Sequence, residues 1–492
     1  MAPVARLAKE TFLIADACLT QGWYAARITK NEPTPAAEWR FFVGSEVARI
    51  AHDALGDGPI LPAGPLQRAQ TATAQAIAAG TPLIYEATFA TGHFLARADA
   101  IRRHGKGWDV IEIKSGKLPA DGDPARVKAE YIDDVAYTTF VATQSGLKVS
   151  RALLMLVRPD YRRGQPAGAL LGEIDVSDRV FARVADFKDK GPAVAAALAD
   201  EQRPDPNLIP ACRRCEFYEE YCMGRKIGTY DPIILLPNLR GKRFEQLRPY
   251  ERIGALPADA DLTEPQQRVV TAFRRGPIVE PGITVLDQVR WPACYLDFEG
   301  VDPALPWFEG DQPYEQIPFQ FSLHVCDAPG RVIARHAYIA PIEGDWRREL
   351  AITLIKSLGS SGSILMYTPY ELRMIHYLAK VLPDLSELLI GLGERLFDLE
   401  PIFHHGYYHP GFRGRTSIKE TLPTLVAELD YKKLAVQNGG DASALFALTR
   451  TGQYPREDWD QHRSELLQYC GLDTLAMVRL HAELVKIRAG IL

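Results

Sequence analysis

Trp108-Asp109-Val110-Ile111-Glu112-Ile113-Lys114-Ser115-Gly116-Lys117 reads as a strand of period two, with Glu112 and Lys114 on one face and Ile111 and Ile113 on the other. Strand candidates at 82–90 and 94–101 precede it. The turn-forming run Arg102-Arg103-His104-Gly105-Lys106-Gly107 joins the second of these to it as a hairpin or meander. Asp99, near the end of that second strand, can reach the same place as Glu112. Two converging carboxylates can hold Mg²⁺, which activates water and offsets charge on a phosphate, while an ammonium steadies the developing negative charge. A strand with a solvated charged face is the alternative reading of the same local pattern.

Working outward, helices are expected at 37–55 and 66–79 before these strands. A helix at 125–145, an apolar strand at 152–157 and a helix near 176–200 follow, completing an α/β pattern. Cys212, Cys215 and Cys222 then form a C-x2-C-x6-C run, and Cys18 stands before the strands. Four thiolates suit a structural Zn²⁺ or a [4Fe-4S] cluster, and spacing alone does not separate the two. Cys294, Cys326 and Cys470 fall within strand or helix patterns and read as core residues.

From about 227 to 285 prolines recur around one helix at 264–275, which reads as a connector. A second α/β unit opens at Trp291, with strands at 293–299, 317–325, 332–339 and 363–367 and helices at 345–357, 370–381 and 461–488. Domains are therefore expected at 1–226 and 286–492, linked by 227–285. In Tyr295-Leu296-Asp297-Phe298-Glu299-Gly300 two carboxylates share one face of a strand at a central position. Burying two acids without a cation is costly, so a metal is the economical answer. Tyr469 and Asp473, four apart on a late helix, can face the same cation.

The chain has 492 residues, 47% hydrophobic and 24% charged, as in a soluble globular protein. A formal charge of −5 gives no global attraction to nucleic acid, so such binding would rest on local basic strips and metal-bridged phosphates. Seven cysteines are too few for a disulfide scaffold, and the N-terminal apolar stretch is interrupted by Asp16. No run of 18 apolar residues is present. A cytoplasmic protein with no membrane span is expected. No G-x4-G-K-[ST] loop occurs, so a duplex-resecting role would need a partner helicase.

The sequence Tyr85-Glu86-Ala87-Thr88-Phe89, then Asp99, then Glu112-Ile113-Lys114 resembles the PD-(D/E)XK nucleases of the RecB type. The resemblance implies a restriction-endonuclease-like fold, with Asp99 and Glu112 as metal ligands, Lys114 as the catalytic lysine and Glu46 as a further acidic candidate. Relatives carry Gln where Thr138 stands here. One cysteine before the core and three after it resembles the iron–sulfur RecB-like nucleases, including CRISPR-associated exonucleases. That implies a [4Fe-4S] cluster on Cys18, Cys212, Cys215 and Cys222 stapling the two ends of the first domain, so that Cys18→Ser should destabilise 1–225 and leave the second domain folded.

Asp297, Glu299, Tyr469 and Asp473 together resemble the DEDD exonucleases of the RNase H-like superfamily, in the variety that uses tyrosine. There Asp297, Glu299 and Asp473 would ligate two Mg²⁺ (or Mn²⁺) ions, Tyr469 would orient the attacking water, and nucleotides would leave from the 3′ end. Glu371 follows Thr368-Pro369-Tyr370 where that family has Asn, an aromatic residue and Asp, and Asp398 is a further candidate nearby, suited to support the site or the fold rather than to hold the metal. Pro313-Tyr314-Glu315-Gln316-Ile317-Pro318-Phe319-Gln320-Phe321 and Ser417-Ile418-Lys419 resemble a bacterial family that fuses the two folds. The implied activity is a metal-dependent nuclease on nucleic acid, single-stranded DNA rather than RNA, in repair or defence, with a helicase or defence-system partner. The alternative is a non-catalytic or single-site nucleic-acid-binding subunit with a structural zinc. Substrate contacts are sought in His404-His405-Gly406-Tyr407-Tyr408-His409 with Arg413 and Arg415, which interleaves rings and cations. The basic strip Arg240, Lys242, Arg243, Arg248 and Arg252 is a second place to look.

Overall fold

A computed structural model describes residues 6–28, 32–222 and 231–490. The fold is mixed α/β with two five-stranded sheets and one small strand pair. The first sheet uses β1 (Leu83–Thr91), β2 (Phe94–His104), β3 (Gly107–Lys117), β4 (Val149–Val157) and β5 (Leu171–Asp175), in that order. Only β3 and β4 run parallel, because helix Ala129–Gln144 makes the crossover between them. The expected turn at 102–107 is tighter than the sequence suggests. Pairing continues through Arg102↔Asp109 to His104↔Gly107, leaving Gly105, at φ +56°, to close the hairpin. The short edge strand β5 escapes a pattern reading for want of length.

The two faces of this sheet are covered differently, and that decides where β3 points its side chains. Val43, Val47 and Ile50 of helix Pro35–Leu55 pack on Tyr85, Ile111, Ile113, Leu153 and Met155. On the opposite face, Phe12 of helix Lys9–Ala17, Tyr137 and Phe140 of the crossover helix and Phe187 of helix Ser177–Ala199 bury Val110, Leu154 and Leu156. Strand alternation sends Glu112 to the second face, under the crossover helix.

The small pair joins β6 (Ile278–Val279) to a strand near residue 407. The second sheet contains β7 (Ala293–Val301), β8 (Ile317–Ala328), β9 (Arg331–Ile339), β10 (Ile364–Met366) and β11 (Leu396–Asp398); the partner of β6 is β12 (Tyr407–Tyr408). Its order is β11-β10-β7-β8-β9, with β7 central, parallel to β10 and antiparallel to β8. The long helix Trp459–Arg488 lies across β7 and β8 on a polar seam. Gln320 Nε2 donates to Leu466 O at 2.8 Å, Ser322 Oγ lies 2.9 Å from Thr474 Oγ1, and Tyr295 Oη lies 2.6 Å from His481 Nδ1.

The proline-rich segment packs more closely than a connector would. Ile233, Ile234, Leu235, Leu236, Phe244, Leu247, Ile253 and Leu256 are buried in the same core as the second sheet, and a second helix, Gly241–Leu247, accompanies Glu264–Arg275. The prolines set turns while the apolar residues between them dock. The boundary expected at 226/227 lies outside the described residues. Helix Pro35–Leu55 also touches the second sheet's surroundings: Ala36 N–H donates to Asp441 Oδ1 at 3.1 Å, and Tyr454 Oη donates to Glu38 Oε2 at 2.7 Å. Among the described residues no helix is long and apolar enough to cross a membrane.

Candidate functional site

Asp99, Glu112 and Lys114 meet on the first sheet. Lys114 Nζ lies 3.1 Å from Glu112 Oε1 and also pairs with Asp134 of the crossover helix. Lys9, from the first helix, pairs with the same Glu112 oxygen, and Thr138 Oγ1 donates to Glu112 Oε2 at 3.4 Å. Asp99 Oδ2 accepts Ile113 N–H at 2.7 Å. Burial alone would raise the Glu112 carboxyl, but the Lys9 and Lys114 ammoniums outweigh it and hold the group below its ordinary value. Asp99 goes the other way: burial, reinforced by the Glu112 charge, pushes it up to about 7. Thr138 thus reaches the acid. Glu46 does not. Its helix covers the other face of the sheet, and Arg49 pairs with it at 3.2 Å.

Asp134 and Lys9 are absent from the sequence reading. Asp134 sits one turn before Thr138 and could have been found by i,i+4 spacing; Lys9, more than a hundred residues away, carries no local signal.

The second centre is built around central strand β7. Asp297 and Glu299 share its face toward the long helix, and their carboxylate oxygens and the Cys470 sulfur all lie within 4.8 Å of one another. Cys470 Sγ donates to Asp297 Oδ2 at 3.3 Å. Cys470 is buried in the core as expected, and this contact adds a role that its pattern did not announce. It stands three residues before Asp473 on one helix face, a spacing that was legible. Asp473 accepts a hydrogen bond from the hydroxyl of Tyr431, a residue absent from the sequence reading. Lys419 Nζ lies 5.5 Å from the ring centroids of both Tyr431 and Tyr469. Glu371, in the first turn of helix Tyr370–Val381, is buried, and among the described residues its Oε2 has no hydrogen-bond partner. The loop that delivers it turns at Thr368, which adopts φ +88°; Asp398 Oδ1 holds that turn by accepting Thr368 N–H at 3.1 Å and Glu400 N–H at 2.9 Å. Asp398 is therefore structural.

These four acids are poorly compensated. Burial raises Asp297 well above the usual carboxylate range, and Asp473 adds to the effect. Glu299 is raised by burial, then by Asp297 and Asp473, with Lys419 opposing. Glu371 is raised by burial and by Asp297. Asp473 reaches only about 6, since Tyr431, Lys419 and Tyr469 pull back against burial. Converging buried carboxyls, one ammonium and an oxygen without a partner make a donor set that fits hard divalent cations. At the first centre Glu112 already has two ammoniums, and the fit there requires one of them to give way.

Cys18, Cys212, Cys215 and Cys222 line one cavity of about 130 Å³ with Leu208 and Tyr218. Each sulfur has a local cause for its place. Cys18 ends one helix and caps the next, accepting Gln21 N–H at 3.5 Å, and Ile209 N–H points at Cys212 Sγ at 3.4 Å. Burial raises the Cys212 and Cys215 thiols, and burial with the neighbouring thiols pushes Cys222 up to about 11. Among the described residues no three of these sulfurs lie within 4.8 Å of one another. The two ends of the first unit meet here, with Trp23 Nε1 donating to Asp200 O at 3.0 Å and Tyr24 Oη to Tyr221 O at 3.2 Å, and the local cysteines also pack against the core of the second sheet. Arg213 adds to this, donating to Ile234 O, Leu235 O and Leu236 O at 2.7–3.0 Å and to Gly414 O at 2.9 Å.

The expected strand contacts are divided between core and surface, with His404, His405 and Arg415 exposed. Tyr407 and Tyr408 are buried, Tyr408 Oη accepts Gly414 N–H at 2.8 Å, and Arg413 and Arg415 pair with Glu219 and Glu420 at 3.0 and 2.9 Å. In the basic strip, Arg243 pairs with Asp261, Arg248 with Glu245 and Arg252 with Asp231.

The family described as "Domain of unknown function (DUF2779)" matches residues 294–417, the stretch from β7 to the loop before helix Ile418–Leu425. Among curated proteins, the "Uncharacterized protein MG366 homolog" of Mycoplasma pneumoniae is 23% identical over 216 residues, which cover 40% of this chain and 32% of that protein. The chain thus spans about a third of that relative's length. Among solved structures, an alkaline exonuclease from Laribacter hongkongensis is similar at a TM-score of 0.19 and 15% identity, over 40% of this chain and 89% of that one.

Proposed function

We propose that this chain is a divalent-metal-dependent nuclease with its principal centre at Asp297, Glu299, Glu371 and Asp473. One observation carries the reading: the buried carboxyls of Glu299, Glu371 and Asp473 converge with the half-buried Asp297, Lys419 is the nearby ammonium, and among the described residues Glu371 Oε2 has no hydrogen-bond partner. Isolated buried acids protonate or find a cation, and a cation is the outcome that supports hydrolytic chemistry. When bound, divalent ions supply an activated water and offset charge on the phosphate in an in-line displacement. The chain's own residues do the rest. Cys470 and Tyr431 orient Asp297 and Asp473, Lys419 offers positive charge to a phosphate, and Tyr469 presents a hydroxyl beside Asp473. In this reading the second sheet is RNase H-like and works as a 3′-to-5′ exonuclease on single-stranded DNA, in repair or defence and with a partner helicase. The first sheet is a RecB-like PD-(D/E)XK unit with Asp99, Glu112 and Lys114 as its centre, the division falling near 226 and 286.

For the four cysteines we propose a [4Fe-4S] cluster. The convergence of all four cysteines on one cavity supports a shared group, and the cluster is chosen over a single zinc on the resemblance to iron–sulfur nucleases. Anaerobically purified protein that is colourless, with zinc and no iron, overturns that assignment.

The test of activity is degradation of end-labelled single- and double-stranded DNA and RNA with and without Mg²⁺. Asp297→Asn should lower Mg²⁺-dependent cleavage by about 10³-fold, in line with losing a metal ligand at a reacting centre. A second reading has its own observation. Glu112 is neutralised by Lys9 and Lys114, so the first centre serves as a strand-binding or structural site. Glu112→Ala with cleavage unchanged supports that reading, and loss of cleavage supports two working centres.

A further inference from the structure

We propose that the groove between helix Pro35–Leu55 and the second sheet's surroundings is the track of a single-stranded nucleic acid whose end reaches Glu299; its link to catalysis rests on the nuclease reading above. Two cavities of about 440 Å³ each lie there and share Trp39 as a common wall. The inner cavity opens on Glu299 and Gly300, with Arg40 at its edge. The outer one is lined by Phe42, Trp307 and Arg163.

The chemistry of the walls is that of strand binding. Arg40 and Arg163 are exposed, and among the described residues their guanidinium groups have no carboxylate or hydrogen-bond partner. That sets them apart from Arg49, Arg102, Arg183 and Arg347, which are held by acids. A guanidinium left free beside a groove is suited to phosphate oxygens. Trp39 is held by Phe42, stacked at 5.5 Å, and by Trp307, edge-on at 6.4 Å, so an indole fixed in place stands between the two cations. Alternating aromatic planes and cations along a groove receive successive bases and phosphates without reading sequence. Of the acids that line the two cavities, Glu46 is tied to Arg49 and Glu343 to Arg456, while Glu299 and Asp302 remain in the inner one.

The wall that carries Trp39 and Arg40 comes from the helix covering the first sheet, while Glu299 comes from the second. The track therefore exists only where the two sheets dock, and the docking contacts Ala36 to Asp441 and Glu38 to Tyr454 flank it. This gives the first half of the chain a role in presenting substrate to the second centre whatever its own chemistry.

The test is binding of fluorescein-labelled oligo-dT to the full-length protein, read by anisotropy over a salt series with Ca²⁺ in place of Mg²⁺. Every phosphate that a variant ceases to neutralise should flatten the slope of log K against log salt by about 0.7, so Arg40→Ala and Arg163→Ala should each do so. Trp39→Ala should weaken binding by roughly 10-fold at an unchanged slope, as removal of a stacking platform does. Arg331→Ala, which removes an arginine paired with Asp327, should change neither. Slopes and affinities within two-fold of wild type for the three groove variants overturn the track. The nuclease reading is judged separately with bis-(p-nitrophenyl) phosphate, a substrate too small to use the groove. Groove variants that cleave it at the wild-type rate while binding the oligonucleotide more weakly support the proposal. A wild-type protein that cleaves neither substrate sinks the nuclease reading, and the salt slopes still decide the groove.

Discussion

The two carboxylate centres use the same residue types and reach opposite electrostatic states. Glu112 is buried, yet Lys9, Lys114 and Thr138 supply it with cations and a hydroxyl, and its carboxyl is held low. Asp297, Glu299, Glu371 and Asp473 are raised by burial and by one another, with Lys419 the opposing ammonium. The first centre is closed by the chain itself; the second is left open to an added cation. Cation dependence of stability should therefore belong to the second centre.

The pH dependence of stability tests this contrast most strongly. Asp473 titrates at about 6 in the fold, against an ordinary carboxyl near 3.9 when unfolded. Between those values the native state binds more protons, so stability is fully present below about pH 4 and is lost as pH rises through 6. Asp297, Glu299 and Glu371 are raised as well and extend the loss upward, and Asp99, at about 7, adds to it. Glu112 has the opposite sign: its contribution is present above its unfolded pKa and is lost as pH falls through the lowered folded value. In chelator, thermal unfolding should come earlier as pH rises from 5 to 7.5, by an amount of order 3 kcal/mol. Saturating Mn²⁺ should remove the part of that decline that comes from the second centre, since binding to the ionised native site adds to its stability, and leave the part that comes from Asp99. A metal-free protein that is equally stable or more stable at pH 7.5 than at pH 5 breaks the comparison.

Two conservative substitutions sharpen it. Glu112→Gln leaves Lys9 without its carboxylate, and part-exposed ammoniums limit the cost to about 2 kcal/mol. Glu371→Gln in metal-free protein removes a repelling charge and should raise stability by about 1 kcal/mol. Urea unfolding at pH 7.5 in chelator reads both. Equal losses from the two would mean that the centres are compensated alike.

How much of this was legible follows from how each residue arrives. The strands carrying Asp99, Glu112, Asp297 and Glu299 announce themselves by period two and by position between turns, and Asp473 by its helix. Lys9 reaches Glu112 across 103 positions, Tyr431 comes from a short 3-10 turn, and Lys419 projects from an eight-residue helix. Short elements have no periodicity to read. The loop at 404–415 shows a mixed pattern that its sequence does not resolve: Tyr408 and Phe412 are buried and the arginines meet acids, while His404 and His405 stay exposed. Trp39 and Arg40 carried the more useful pattern, hidden inside a helix that reads only as core packing for the first sheet.

The smallest expected effect probes how the second centre holds its ligands. Cys470 Sγ donates to Asp297 Oδ2 at 3.3 Å, and that hydrogen bond opposes the rise that burial imposes on Asp297. Sulfur is a weak donor, so its removal should cost little in fold stability. Cys470→Ala should nevertheless leave Asp297 harder to ionise, and Mn²⁺ affinity at pH 7 should fall about 3-fold, a difference that shrinks as pH rises and protons cease to compete. Cys470→Ser, which restores a stronger donor, should recover the affinity. Titration calorimetry with Mn²⁺ at pH 6.5 and 8 separates the outcomes: an affinity loss of the same size at both pH values would show that Cys470 fills space beside Asp297 without tuning it.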